Sequence, residues 1–364
     1  MKIIIKKSDL KKEISKFKMA TQKATLTILK CVLMESENNT VRISVTDLEK
    51  AVSVNIPCET HKAGSLVIDF NRLKPIVENI PSDTITFENV GEKVKVSGGS
   101  FESVLENGGT KEDFPIIPTS DKAKQIFTIP ALTLKDIVRK VGHSASTQEV
   151  RYVLNGVLFH NDNGLKVVAT DGRRIAIAYL KSVTTNENNL KMILPFKSLK
   201  YICGLIDKDN DIIFSINTHP ALDKSNLFIR QGRTVFASRL IDGNFPSYKN
   251  VIPEKINHTV EIPVKKLCDI SNRMVKICKD TKIKIHTTKN NIDFVYEDEK
   301  ETTKENLKVA YAGDDFSFKI NMEYLRDVVS CFKDGDVKMK VVNDINPVVF
   351  EKEIYKYIII PIRA

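Results

Sequence analysis

Gln148-Glu-Val-Arg-Tyr-Val-Leu-Asn-Gly-Val-Leu-Phe159, closely followed by Val167-Val-Ala-Thr-Asp-Gly-Arg-Arg-Ile-Ala-Ile177, decides the reading of this chain. Residues 153–159 form an apolar, β-branched run of the kind that packs as a half-buried strand, and Leu165 to Thr170 form a second. Asp171-Gly172 reads as a two-residue type I′ hairpin loop, because both residues tolerate the positive φ that it needs. Ile175, Ile177 and Tyr179 then fall on one face of a third strand. On pattern alone this is a β-meander with a basic tip, and a purely structural hairpin accounts for it.

Working outward, the same pieces recur. Leu10, Ile14 and Phe17 stand at helical spacing with Ser8 as an N-cap, and Leu134, Val138 and Val141 repeat the pattern after Thr133. Leu267, Ile270, Met274 and Ile277 make a third case. A second helix per unit starts at Asn71, at Lys197 and at Asn321. The registers agree: Leu10 to Leu134 is 124 residues, as is Thr46-Asp47 to Thr170-Asp171, and Leu73, Leu199 and Leu325 are spaced by 126 and 126. Asp113-Phe-Pro115 and Asn244-Phe-Pro246 mark unit ends 131 apart. Short alternating strands fill the intervals, with turns at Asn38-Asn39, 161–164 and 289–291. The third unit lacks the Thr-Asp turn and has a charged loop, 297–301, in its place.

The chain therefore reads as three copies of an α+β unit, each with two helices backing about eight antiparallel strands. The expected boundaries are 1–121, 126–251 and 252–364. A total of 364 residues suits two or three cores, and 42% apolar content supports them. No apolar run is long enough for a membrane span, and Met1-Lys-Ile-Ile-Ile-Lys-Lys7 reads as a first strand, not a signal peptide. Six cysteines without Cys-x-x-Cys pairing point to a reduced, cytoplasmic protein without a metal.

The net charge of +10 is unevenly placed: the six predicted helices carry +14 and the remainder −4. Taken singly, a lysine-rich helix face is a solvated surface. Repeated over most of six helices, it makes a positive track if they share one side of a curved array. Lys and Arg on such a track hold phosphates without reading sequence. The chain has no Trp, and Phe17, Tyr201 and Phe332 sit at apolar-face positions, so a stacking platform for single strands is missing. Duplex DNA is the better partner.

The stretch from Gln148 to Ile177, the Asp-Phe-Pro and Asn-Phe-Pro turns and the C-terminal Tyr357-Ile-Ile-Ile-Pro-Ile-Arg-Ala364 together resemble the β sliding clamp family of bacterial DNA polymerase III, over essentially the whole chain. The resemblance implies a non-catalytic, cofactor-free subunit, two copies of which close head to tail into a ring around double-stranded DNA. It implies DNA contacts at Lys23, Arg72, Gln148, Tyr152 and Lys197. It places the contact between copies at the first and third domains, with Val104, Leu105 and Ile277 as apolar contributors. An apolar pocket for short peptides of the polymerase III catalytic subunit, the clamp loader and repair proteins is implied at Leu154, Thr170, Gly172, Arg174, Ile175, Pro246, Val251, Ile358, Ile360 and Ile362. Asn321, Met322 and Tyr324 flank its entry. Tyr357 to Ile359 reads as a buried last strand, and Pro361 should end its pairing and leave Ile360 and Ile362 free to line the pocket.

The chain departs from the family at several places. Lys23 stands where Arg is frequent, Asn71 where a basic residue is, and Val153 where Tyr is; the family has His near Thr147. Fewer or weaker DNA contacts are expected. Arg173 replaces the usual His of the Thr-Asp-Gly-His-Arg motif and Ala364 a more apolar end, so peptide preference is expected to shift. Enzymatic readings find little support: the six His show no ligand-like spacing, and neither a phosphate loop nor Gly-x-Ser-x-Gly occurs. The rival reading is a basic scaffold that binds DNA and peptides on an open arc without encircling.

Overall fold

The structure, a computed structural model, describes residues 1–21, 26–217 and 226–363. Among them the first repeat runs β1 (Lys2–Lys6), α1 (Lys7–Glu13), β2 (Cys31–Glu37), β3 (Thr40–Thr46), β4 (Lys50–Lys62), β5 (Gly64–Asp69), α2 (Phe70–Asn79), β6 (Thr84–Val90), β7 (Lys93–Gly98), β8 (Phe101–Glu106). The central repeat runs β9 (Ala123–Pro130), α3 (Ala131–Val141), β10 (Gly156–Asn161), β11 (Leu165–Thr170), β12 (Arg174–Leu180), β13 (Lys191–Pro195), α4 (Phe196–Leu205), β14 (Asp211–Asn217), β15 (Asn226–Gln231), β16 (Thr234–Arg239). The third runs β17 (His258–Pro263), α5 (Val264–Ile277), β18 (Lys282–Thr288), β19 (Asn291–Glu297), β20 (Thr302–Lys308), β21 (Phe316–Asn321), α6 (Met322–Val329), β22 (Asp336–Val341), β23 (Val348–Lys352), β24 (Tyr355–Ile359). All three share one order: strand, helix, four strands, helix, three strands. The α+β repeat is present in full.

Two compact units contain these elements, Met1–Leu132 with Lys200–Leu240, and Thr133–Leu199 with Ile241–Ala364. The first holds a twelve-stranded antiparallel sheet, in which β4 of the first repeat pairs with β16 of the central one, from Thr234↔Val54 to Ser238↔Lys50. The second holds an eight-stranded and a four-stranded sheet. In the larger, β12 of the central repeat pairs with β24 of the third, from Arg174↔Ile359 to Ala178↔Tyr355. Each joint between repeats is thus a shared backbone ladder, not a linker.

A lysine reinforces each joint. In the first unit Lys16 Nζ lies 2.5 Å from Glu13 and donates to Thr234 Oγ1 at 2.8 Å, while the Tyr201 hydroxyl donates to Lys16 O at 3.1 Å. In the second unit Lys140, 124 residues later, is 7% exposed. Its ammonium lies 4.7 Å from the centre of the Phe332 ring and 4.5 Å from that of Tyr355, and pairs with Asp136 at 2.9 Å. Two ring faces and a carboxylate replace the hydration that burial removes.

Several local expectations differ from what forms. Ser8 does not cap α1, because β1 runs straight into the helix and puts Lys6 in the cap position, without a side-chain bond. The helix ends at Glu13, and Ile14–Thr21 continues as 3-10 turns that still bury Ile14 and Phe17. The helix containing Leu134 begins at Ala131, before Thr133. The strand expected from residue 153 starts at Gly156, since Glu149–Asn155 winds as a 3-10 segment. A Cβ on Gly156 would meet Ile193 at 2.3 Å, so only Gly lets β10 lie against β13 there. Asn321 does cap α6, accepting from Glu323 N at 2.8 Å.

Candidate functional site

The loop between β11 and β12 is not the two-residue type I′ turn expected at Asp171-Gly172. Thr170 faces Ile175 across the ladder, which leaves four loop residues, and only Gly172 has positive φ, +88°. Side chains hold it: Thr170 Oγ1 accepts from Gly172 N (3.0 Å) and donates to Arg174 O (2.6 Å). Asp171 Oδ1 accepts from Arg173 N (2.9 Å) and Arg174 N (3.0 Å), and its Oδ2 takes Arg174 Nε at 3.0 Å. The type I′ geometry appears instead at Asn38-Asn39, with φ of 48° and 57°.

The loop from Thr46 to Lys50 repeats this pattern bond for bond. Thr46 Oγ1 accepts from Leu48 N (3.0 Å) and donates to Lys50 O (2.9 Å). Asp47 accepts from Glu49 N (3.1 Å) and Lys50 N (2.9 Å) and pairs with the Lys50 ammonium. The third repeat keeps half of it: Asp298 accepts from Lys300 N (2.8 Å) and Glu301 N (2.9 Å), with Glu297 in the threonine position. The charged loop expected there is the same turn without its Thr and its basic end. Leu48 occupies the Gly172 position at φ +75° and is 53% exposed. A bulky side chain pays about 1–2 kcal/mol in this region, against about 0.5–1 kcal/mol for the extra freedom of Gly in the unfolded chain. Leu48→Gly is expected to stabilise the chain by up to about 1 kcal/mol, seen as a higher urea midpoint; a fall would mean that the leucine side chain itself packs.

Arg174 carries the central loop into the third repeat. Its Nη1 lies 2.7 Å from Asp327 Oδ2, its Nη2 donates to His143 O at 2.7 Å, and its guanidinium sits 4.5 Å from the centre of the Tyr324 ring. Its side chain is only 12% exposed. One residue thus ties the end of α3, the loop and α6 together. Beside it, burial and the Arg174 charge push the His143 imidazole down to about 4, and its Nε2 has no partner among the described residues. The folded state holds this ring neutral, so its contribution to stability is full above pH about 6.5 and declines as pH falls towards 4. The expected slope is at most about 1.4 kcal/mol per pH unit. Urea midpoints of wild type and His143→Asn between pH 7.5 and 5 check this, because the difference between them should shrink with acid.

On one face of the eight-stranded sheet, Leu158, Val168, Ile175, Ile177, Ile193, Tyr248, Val349 and Ile358 form a buried apolar cluster. Val153, Ile241, Phe245, Val251 and Ile252 pack against it half-buried. Of the expected pocket residues, Ile175 and Ile358 are ladder partners inside this cluster, and Thr170 is buried beside them. Val251 joins its margin; Leu154 follows Val153 and is half-buried; Pro246, Gly172 and Ile360 are exposed. The sequence reading missed Phe245 and Ile252, although the Asn244-Phe-Pro246 turn marked the segment. Ile360 and Ile362 are not free: Ile360 N donates to Arg173 O at 3.0 Å and Ile362 N to Lys319 O at 2.7 Å. Pro361 interrupts the pairing for one residue, and its neighbours bond to the loop before β12 and to strand β21.

Family models for the DNA polymerase III beta subunit match the chain in order, the N-terminal domain over residues 1–118, the central domain over 128–247 and the C-terminal domain over 249–363. The chain belongs to the DNA polymerase III beta subunit family. It is 26% identical to the beta sliding clamp of Proteus mirabilis over 383 aligned residues, covering 100% of both, and 26% identical to that of Escherichia coli K12 over 353, covering 93% of both. A Pseudomonas aeruginosa DNA polymerase sliding clamp solved with a ligand has the same fold, with a TM-score of 0.90, 23% identity and full coverage of both chains. So has the Bacillus subtilis clamp, with a TM-score of 0.88, 19% identity and coverage of 100% of this chain and 99% of that one. The family is a non-catalytic processivity factor, and this member is not an enzyme.

In this chain the expected DNA contacts lie on two units. Arg72 is exposed on α2 in the first. Gln148, Tyr152 (58% exposed) and Lys197 are exposed in the second, and Lys23 lies outside the described residues. Lys11 and Lys12 on α1, and Lys265, Lys266 and Lys276 on α5, are exposed as well. The three apolar residues expected between copies divide. Val104 is 53% exposed on β8, the edge of its sheet, and Ile277 is 62% exposed at the end of α5. Leu105, on the opposite face of β8, is 6% exposed and belongs to its own core. No described helix is long and apolar enough to cross a membrane.

Proposed function

We propose that two copies of this chain close head to tail into a ring around duplex DNA and so tether the replicative polymerase for processive synthesis. The observation that supports this best is the ordered match of three clamp-domain models along nearly the whole chain. A topological tether needs only loose, sequence-blind phosphate contacts, and Lys23, Arg72, Gln148, Tyr152 and Lys197 are the residues proposed to make them. Val104 and Ile277 are proposed for the contact between copies, with Leu105 supporting Val104 from behind. The domains are taken as 1–121, 126–251 and 252–364, and the working place as the cytoplasm, at the nucleoid.

The pocket is proposed on the apolar sheet face and its rim: Leu154, Thr170, Gly172, Arg174, Ile175, Pro246, Val251, Asn321, Tyr324, Ile358, Ile360 and Ile362. Short peptides of the polymerase III catalytic subunit, the clamp loader and repair proteins would compete for it. Small-angle scattering on the size-exclusion peak should give the mass of two chains and a hollow profile. Loaded protein should stay on nicked circular DNA and leave when the circle is cut. A monomer, or retention on open ends, would replace the ring by an open basic scaffold.

A further inference from the structure

We propose that the peptide site is rimmed by uncompensated cations and selects segments whose apolar anchors are flanked by Asp or Glu; this rests on the pocket reading above. The C-terminal tail carries the inference. Its two backbone bonds, Ile360 N to Arg173 O at 3.0 Å and Ile362 N to Lys319 O at 2.7 Å, hold it between the loop before β12 and strand β21. Arg173 and Lys319 therefore stand beside Ile360 and Ile362, and Arg363 follows directly. All three are exposed, and none makes an ion pair among the described residues. Arg151, also exposed, donates to Asp171 O at 3.1 Å and packs so closely on Gly172 that a Cβ there would lie 2.8 Å from its Nη1.

The nearby carboxylates offset these charges only in part, because three of them already face two other cations. Asp171 and Asp327 are both held by Arg174, at 3.0 and 2.7 Å, and Glu323 faces Arg326 at 3.9 Å. An incoming peptide meets a surplus of positive charge around partly exposed isoleucines. Duplex DNA fits this patch less well, because a phosphate backbone has nothing apolar to cover Ile360, which is 39% exposed. Arg173 is also the position where the family motif has His, so the preference belongs to this chain's own residues.

The test uses the full chain and fluorescein-labelled peptides that share one Leu/Phe core, with acidic, neutral or basic flanks, followed by anisotropy at low and high salt. The acidic-flanked peptide is expected to bind about tenfold more tightly than the neutral one at low salt, and the advantage should fade at high salt. The double variant Arg173→Ser, Lys319→Ser should remove most of the advantage at an unchanged urea midpoint, leaving the part owed to Arg151 and Arg363. Equal affinity for all flanks at both salts overturns the inference and leaves the pocket standing. Failure of every peptide to bind removes the pocket itself. A double variant that keeps the discrimination but is lost from circular DNA assigns the cations to the duplex and also overturns the proposal.

Discussion

Replacing Arg174 with Ala is expected to destabilise the chain by about 3 kcal/mol, because it leaves Asp327 with only the longer Arg326 contact, at 3.5 Å, and takes the Arg174 donor from the His143 carbonyl in a half-buried setting. The side chain is 12% exposed and reaches Asp171, Asp327, His143 O and the Tyr324 ring. Water reaches Asp327 in part, with its side chain 29% exposed, which keeps the figure at the lower end for a broken buried pair. Lys50, 124 residues earlier, supplies the control. It holds the equivalent loop aspartate and lies 5.5 Å from the centre of the Tyr201 ring, with no further carboxylate among the described residues. Lys50→Ala should cost about 1 kcal/mol. Urea unfolding of both variants measures the difference, and peptide binding should fail in the first alone. Equal losses would sink the account of Arg174 as the anchor of the site.

Ending the chain at Ile359 is expected to weaken peptide binding at least about a hundredfold, since two apolar anchors leave the rim. The cost to the fold should be about 1–3 kcal/mol, from two backbone hydrogen bonds and the buried Pro361. The ladder itself survives, because Ile359 remains paired with Arg174 on one side and Val348 on the other. Anisotropy with a labelled peptide reads the first effect and the urea midpoint the second. Unchanged affinity in a truncated chain that still folds would remove the tail from the site.

Much of the architecture was legible because repetition leaves a register that can be counted. Thr46-Asp47 and Thr170-Asp171, 124 apart, fold into the same bonded loop, and the helix partners Leu10 and Leu134 are both fully buried. What the pattern hid is local chemistry that depends on partners distant in sequence. A Thr-Asp-x-x-basic loop imitates a type I′ turn in one dimension, and only the ladder register of Thr170 with Ile175 tells them apart. The third copy of that loop, around Asp298, was disguised because backbone bonds to one aspartate maintain it after its threonine has gone.

By itself the amino-acid sequence determined the three-fold repeat, the helix and strand inventory, the basic helices and the family to which the chain belongs. The repeat, the elements and the basic helices follow from spacing, periodicity and the placing of charge, while the family follows from the resemblance carried by residues 148–177 and the C-terminal tail. Tertiary structure alone decided that repeats join through shared ladders, that Arg174 meets Asp327 and Tyr324, that Leu105 is core while Val104 is surface, and that the tail is tied at Arg173 and Lys319. Each of these is set by which elements meet in space, and a partner far away along the chain leaves no periodic trace in the sequence.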